Sequence, residues 1–256
     1  MIGNTRSYGG TMENLIDYLI RISPAIAVVV LVFILVRPGK QARVVLYILT
    51  FILLRDALTP SSLWRLGVTD GIPWIRLFPN HVFLLGTALS SLTAVGLLVL
   101  LDRENSREVV FLRKGAELEG WVSALVALAV LLSPFVLLYR RIDLMDRGGV
   151  VDPAFVGSIL IFALAGNLLE ELLFRGYVYN VLKRQDIDLR AGIVTGFVFC
   201  LCHAFLATTV TSIGTPLLLF TLWEGVICGI VGARYGVLPA TLVHGGAIFG
   251  LTSGLF

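Results

Sequence analysis

The sequence predicts an all-α, polytopic integral membrane protein with about eight transmembrane helices in one bundle. Apolar residues make up 57% of the 256 residues and charged residues only 14%, whereas a soluble domain carries about a quarter charged residues. The apolar residues are also grouped in successive segments of about 20 residues, the length needed to cross a bilayer as a helix. Nothing between these segments is long enough to fold as a separate soluble domain.

Each apolar segment predicts one span. In chain order, the eight predicted spans are 16–36, 43–60, 80–101, 120–139, 153–182, 191–212, 215–233 and 236–255. The second span is short and contains Arg55-Asp56. The stretch 61–79 is irregular, broken by proline and glycine, and predicts an interfacial turn. We therefore expect an N-terminal four-helix half, 1–152, and a C-terminal half, 153–256, in one structural unit.

The basic residues between the spans predict an orientation. Alternate loops starting with the first carry eleven, and the opposite set carries eight. The eleven are Arg37, Lys40, Arg43, Arg103, Arg107, Arg113, Lys114, Lys183, Arg184, Arg190 and Arg234. The eight are Arg6, Arg21, Arg55, Arg65, Arg76, Arg140, Arg141 and Arg147. The positive-inside rule then favours both termini outside, by a modest margin.

Three apolar segments each contain polar groups that are expensive in hydrocarbon, and such groups mark functional sites. They are Glu170-Glu171 with Arg175 in the fifth span, His203 in the sixth and His244 in the eighth. Counted at 1.5 Å per residue from loops on one face, Glu170 and His203 lie about 20 Å deep and His244 about 15 Å deep. The matched depths predict an active site inside the bilayer.

Helical spacing assigns roles within the fifth span. Glu171 and Arg175 are four residues apart, so we expect them to pair, either as a structural clamp or as part of the site. Glu170 is turned about 100° away from Glu171 and is free to face another helix. Asn167, one turn earlier, is positioned to hydrogen-bond the Glu170 carboxylate.

Phe199 lies four residues before His203 and is expected to pack against its imidazole. An unpaired buried glutamate such as Glu170 is a candidate general base. A histidine facing it can orient water or stabilise an oxyanion. A packing role for either histidine remains the alternative.

The motifs Glu-Glu-x-x-x-Arg (Glu170, Glu171, Arg175), Phe-x-x-x-His (Phe199, His203) and a third-motif His244 occur in this order on successive apolar segments. This arrangement resembles the CPBP intramembrane proteases, which include the CAAX prenyl endopeptidases and bacterial relatives. The resemblance covers about 150–256. It implies an eight-helix fold and a glutamate-type peptidase in which Glu170 activates water and His203 and His244 assist.

The family's third motif is often His-x-x-x-Asn, with the Asn holding the oxyanion, but residue 248 is Ile. An isoleucine cannot donate a hydrogen bond. Asn167 or the Thr241 hydroxyl are candidate substitutes. Catalytic degeneracy is the alternative, which would leave a membrane peptide-binding or immunity-type protein.

The resemblance implies an endopeptidase that cuts near the C-terminus or the membrane segment of a substrate protein. Its partners would be the lipid bilayer and a membrane-associated or lipidated protein or peptide, with no nucleic acid. We expect a multi-pass protein of a bacterial-type cytoplasmic membrane.

A zinc site is the rival mechanism, since Glu and His are zinc ligands and Cys200 and Cys202 flank His203. The sequence disfavours it, because no His-Glu-x-x-His is present and only Cys200 shares a helical face with His203. We therefore expect no cofactor. A proton-coupled transporter is the non-enzymatic rival, disfavoured by the absence of a repeat between the halves.

Two other features of the C-terminal half are expected to serve packing or the site. Glu224 is a further intramembrane acid, predicted either to pair with Arg175 or to lie in the cavity. The spacings Gly225-x-x-x-Gly229 and Gly246-x-x-x-Gly250 predict close contact between helices.

Overall fold

A computed structural model describes residues 12–211 and 213–255, so Arg6 lies outside the described residues. This part of the chain is predominantly helical. Its α-helices are α1 Met12–Leu31, α2 Lys40–Arg55, α3 His81–Leu101, α4 Arg103–Ser106, α5 Glu117–Tyr139, α6 Val156–Glu171, α7 Tyr179–Leu182, α8 Leu189–Leu201, α9 Thr215–Tyr235 and α10 Val237–Ser253. The π-helical segments are Val32–Val36, Leu172–Val178 and Leu206–Val210, and the 3-10 turns are Asp56–Leu58, Met145–Arg147 and Pro153–Phe155.

Six helical segments of the described chain are long and apolar enough to cross a membrane. They are Glu13–Val36, His81–Leu101, Glu117–Tyr139, Pro153–Leu182, Leu189–Val210 and Thr215–Tyr235. The all-α membrane fold is therefore confirmed, but two of the eight predicted spans are shorter than expected. The predicted span 43–60 is the 16-residue helix α2, because its helix ends at Arg55. The predicted span 236–255 is the 17-residue helix α10, whose residues are largely buried.

The stretch 61–79, predicted as an irregular interfacial turn, contains a β-hairpin. Trp64–Thr69 (β1) pairs antiparallel with Ile72–Leu77 (β2). Asp70 and Gly71 join them with φ of 50° and 77°, as a two-residue turn matched to strand twist requires. The glycine and proline residues that suggested irregularity are instead accommodated within a paired ribbon.

The predicted close packing of Gly225 and Gly229 is confirmed at the crossing of α8 and α9. A Cβ on Gly196 would lie 2.6 Å from the carbonyl carbon of Gly225, and one on Gly192 would lie 2.5 Å from the Gly229 oxygen. The two backbones therefore touch, which only glycine permits. Gly246 packs differently, since a Cβ there would lie 2.7 Å from the side chain of Leu128.

The loops predicted to share one face are joined by ion pairs. Arg43 Nη2 lies 3.0 Å from Asp102 Oδ1, which links the first and third loops. Arg113 Nη1 lies 2.7 Å from Asp186 Oδ2, which links the third and fifth. This grouping confirms that the helices alternate in direction. Arg113 also holds the pKa of the exposed Asp186 carboxyl below its ordinary value, chiefly through the hydrogen bond between them.

At the opposite end the hairpin covers the bundle. Thr69 Oγ1 donates to the Asp146 carbonyl at 2.8 Å, and Arg76 Nη1 donates to the Leu251 carbonyl at 2.6 Å. Three arginines that the sequence counted as loop charges, Arg55, Arg76 and Arg147, are buried. They belong to the protein interior and do not report on orientation, so the charge difference between the two faces is larger than the sequence count.

Candidate active site

The first part of the site is a buried cluster around Glu171, the last residue of α6. Glu171 Oε1 accepts from Arg175 Nη1 at 2.9 Å and from His244 Nδ1 at 2.8 Å. All three side chains are almost fully buried. The pair predicted from the four-residue spacing is thus confirmed, and His244 adds a second partner. A π-helical segment follows at once, a widened turn that is frequent at functional sites.

Arg175 ties this cluster to two other helices. Its Nη2 donates to the Gly225 carbonyl on α9 at 2.8 Å. Its guanidinium lies 4.7 Å from the ring centroid of Phe199 on α8, within cation–π range. Arg175 therefore fixes the relative positions of α6, α8 and α9, the helices that carry the site.

His244 on α10 is oriented by these contacts. Its Nδ1 faces the carboxylate of Glu171, so that nitrogen carries the proton and donates. Its Nε2 is directed toward Glu224, whose Oε2 lies 3.5 Å away. Glu224 lines the cavity and lies beside His244, while the guanidinium of Arg175 is engaged elsewhere. A carboxylate that accepts a hydrogen bond from one ring nitrogen fixes the tautomer and the orientation of the imidazole.

His203 lies at a turn inside the sixth span; the predicted span 191–212 is confirmed as Leu189–Val210, and a turn at 202–203 interrupts its helix. Helix α8 ends at Leu201, and His203 occupies a turn before the helical path resumes. His203 Nδ1 contacts the Phe199 carbonyl at 2.8 Å. The break is tolerated inside the membrane because side chains accept or donate the hydrogen bonds that the helix loses.

Phe199 packs between the two histidines. Its ring centroid lies 4.4 Å from that of His203 and 5.4 Å from that of His244. The expected contact between Phe199 and His203 is therefore confirmed, and the same ring separates His203 from His244.

These side chains border a cavity of about 720 Å³. Glu170, His203, Glu224, His244 and Ile248 all line it. The Oε2 atom of Glu170 is buried and has no hydrogen-bond partner among the described residues. A buried unpaired carboxylate oxygen is costly and calls for a functional or solvent partner, and the cavity is where that partner would sit.

The two suggested substitutes for the missing third-motif amide are engaged elsewhere. Asn167 lines the cavity, but its Nδ2 donates to the Ala163 carbonyl at 2.6 Å and not to Glu170. The Thr241 hydroxyl donates to the Val237 carbonyl at 2.9 Å. Each polar group bonds the preceding turn of its own helix, a local competitor that spacing alone does not exclude.

Sequence reasoning missed Arg55 and Asp56. Both are buried, at 6% and 0% exposure, and Arg55 Nη1 lies 2.9 Å from His203 Nε2. The signal was an adjacent ion pair inside a predicted span that was otherwise apolar. The count of basic residues treated Arg55 as a loop charge. Sequence does not show that Arg55 contacts His203, which lies 148 positions later in the chain.

The cysteines beside His203 are not arranged with it as metal ligands. Cys200 Sγ donates to the Leu218 carbonyl at 3.3 Å. Within 12–211 and 213–255, no group of three or more His, Cys, Asp or Glu side chains is arranged to hold a metal ion.

Residues 152–249 match the family described as type II CAAX prenyl endopeptidase Rce1-like. This region is that of a CPBP-family, CAAX-type intramembrane protease. The match covers less than half of the chain and contains every motif residue named above. No curated protein and no solved structure matches the chain. The chain is accordingly a multi-pass membrane protein whose C-terminal region is similar to this protease family, and the helices before residue 152 lie outside the matched region.

Proposed function

We propose that the protein is a glutamate-type intramembrane endopeptidase in which Glu170 activates water and His203 and His244 assist. The observation that carries this proposal is the unpartnered Oε2 of Glu170 beside the cavity that His244 and His203 also line. Glu224 also borders the cavity and has an unpartnered oxygen, but its other oxygen lies 3.5 Å from His244 Nε2. Glu171 and Arg175 hold His244 and the helices in place. No cofactor takes part in the proposed reaction.

The reaction begins with water held against Glu170. The carboxylate accepts a proton from that water as its oxygen attacks the scissile carbonyl carbon, whose π electrons move to the carbonyl oxygen. The tetrahedral intermediate then expels the amine as the C–N bond breaks. Glu170 returns its proton to the leaving nitrogen, and the base is regenerated.

His244 is suited to stabilise the charge that develops. Its Nδ1–H is bonded to the Glu171 carboxylate, so a protonated Nε2 can donate into the cavity while the carboxylate supports the positive ring. Glu224, 3.5 Å from that Nε2, keeps it directed inward in the absence of substrate. Donors aimed at a developing oxyanion are commonly the largest single contribution to rate.

The shape of the cavity supports an apolar, membrane-embedded or lipidated substrate segment. Beyond the polar cluster the cavity is bordered by Val29 and Phe33 of the first span and by Thr87, Ser90 and Leu97 of α3. These helices present most of their large side chains to the outside of the bundle. We propose that substrate enters between them from the bilayer, in a bacterial-type cytoplasmic membrane.

The experiment is cleavage of a panel of membrane-anchored reporter peptides in proteoliposomes, with and without a zinc chelator. The purified proteins are the wild type, Glu170→Ala and His203→Ala. We expect cleavage by the wild type, loss of cleavage in both variants with normal membrane insertion, and no effect of the chelator. Near-wild-type turnover by Glu170→Ala would overturn the mechanism, and chelator-sensitive cleavage would favour zinc.

A further inference from the structure

A buried arginine borders the cavity and lies outside the region that the family match covers. Arg55 is the last residue of α2, far outside 152–249. Its Nε and Nη2 lie 2.8 Å and 2.7 Å from Asp56 Oδ1. A buried ion pair often adds no more to the free energy of folding than apolar side chains of equal volume would. A role at the site would account for an ion pair at this position.

The contact between Arg55 and His203 fixes the state of the imidazole. A guanidinium has only donors, so His203 Nε2, 2.9 Å from Arg55 Nη1, must accept. The proton is therefore on Nδ1, which donates to the Phe199 carbonyl at 2.8 Å. With both ring nitrogens engaged, His203 has no N–H left to offer to an oxyanion.

Arg55 itself retains a donor. A guanidinium carries five N–H groups. The Nε–H bonds Asp56, Nη2 bonds Asp56 and the Cys202 carbonyl at 3.3 Å, and one Nη1–H bonds His203. The second Nη1–H has no acceptor among the residues that the structure describes. Arg55 lines the same cavity as Glu170 and His244, so this N–H is available to a ligand there.

Residue 248 provides no competing donor. Ile248 lines the cavity with an aliphatic side chain, one turn beyond His244 on α10. The site thus has an apolar group at one position and an unused charged donor at another.

We propose that Arg55 supplies a second hydrogen bond to the oxyanion, beside that of His244, with Asp56 and His203 as the positioning residues that hold its guanidinium. This proposal rests on the proposed peptidase function. As water attacks and the carbonyl electrons move to oxygen, the free Nη1–H donates to that oxygen. The bond lasts until the C–N bond breaks and the carbonyl re-forms. The N-terminal half thereby contributes directly to the reaction.

The test is steady-state cleavage of a responsive reporter by Arg55→Gln, Ile248→Asn and the double variant. The glutamine side chain is shorter than arginine, so its amide does not reach the position of Nη1 and the donor is lost there. Loss of one oxyanion donor typically lowers kcat by about 10²–10³-fold, so we expect that loss in Arg55→Gln with KM changed less than about threefold. An amide introduced by Ile248→Asn should restore kcat of Arg55→Gln by at least about tenfold, while changing the wild type much less. A merely structural role would not be rescued from another helix.

Arg55→Lys serves if Arg55→Gln does not fold, which thermal melting in detergent reports. Lys keeps the charge and a donor, so we expect an intermediate kcat that Ile248→Asn raises. Folded Arg55 variants with wild-type kcat, or with a reduced kcat that Ile248→Asn does not raise, would overturn the proposal.

Nitrogen-15 NMR of His203 separates this proposal from the proposed function. We expect protonated Nδ1 and unprotonated Nε2 in the wild type, and a changed Nε2 shift in Arg55→Gln. The opposite tautomer would overturn the geometry whatever the activity. No cleavage by the wild type over the whole reporter panel would overturn the proposed function, and the oxyanion role with it. An active wild type with insensitive Arg55 variants overturns only the oxyanion role.

Discussion

Replacement of Gly196 by alanine tests the backbone contact that brings α8 and α9 together at the site. The new Cβ would lie 2.6 Å from the Gly225 carbonyl carbon and 2.7 Å from its oxygen. Ordinary van der Waals contact begins at 3.4 Å, so the helices must separate by about 0.8 Å. Because the neighbours are backbone atoms, no side chain can rotate away to make room.

Overpacking of this kind typically costs about 1–3 kcal/mol. For a chain of this size each kcal/mol lowers Tm by about 2–4 °C. The displaced Gly225 carbonyl is the acceptor for Arg175 Nη2, so we also expect turnover to fall by up to about a hundredfold, as small displacements of catalytic groups can produce.

The assay is thermal melting in detergent together with reporter cleavage in proteoliposomes. Gly86→Ala is the matched control, because a Cβ at Gly86 in α3 would meet nothing within 4 Å. We expect Gly86→Ala to melt at or slightly above the wild-type temperature. Equal Tm and equal turnover for Gly196→Ala and Gly86→Ala would refute the backbone contact.

Three further outcomes are expected. Glu171→Gln removes the charge that Arg175 and His244 share; breaking a buried pair costs about 3–5 kcal/mol, so we expect a lower Tm and loss of cleavage, and retention of both would contradict the cluster. Asp186 has a lowered pKa in the folded protein. Its contribution to stability is therefore present above its ordinary pKa of 3.8 and is lost as pH falls through the folded value. Hydrogen exchange of 183–188 should rise over that pH range in the wild type and show no such step in Asp186→Asn. Arg76→Met removes the bond to the Leu251 carbonyl, so proteolysis within the hairpin should increase at least several-fold, and unchanged proteolysis would show that Arg76 does not anchor it.

Local spacing predicted the contacts that lie within one helix or follow from helix alternation. The pairs Glu171–Arg175 and Phe199–His203 are each four residues apart, and the structure contains both. Similar depth predicted that His244 would lie near the polar residues of the fifth span; its hydrogen-bond partner there is Glu171, which the sequence did not specify. These predictions succeed because helical geometry converts sequence distance into position.

The contacts that sequence did not predict are those where local geometry changes or distant helices meet. The turn at His203 interrupts the regular rise, and Arg55 reaches it from a helix 148 residues away. Asn167 was assigned to Glu170 by spacing, but its own helix offered the Ala163 carbonyl first. Hydrophobic pattern gives no information on which of several nearby acceptors a polar side chain selects.

The most direct measurement is kcat of purified Glu170→Gln in proteoliposomes, with Glu108→Gln as the control. Glu108 is a loop glutamate that pairs with Lys40 and does not line the cavity, so its replacement changes the same chemical group outside the site. Glutamine keeps the shape of Glu170 but cannot accept the water proton. The account predicts loss of cleavage in Glu170→Gln with wild-type melting and near-wild-type kcat in Glu108→Gln. Cleavage by Glu170→Gln at the control rate would contradict it.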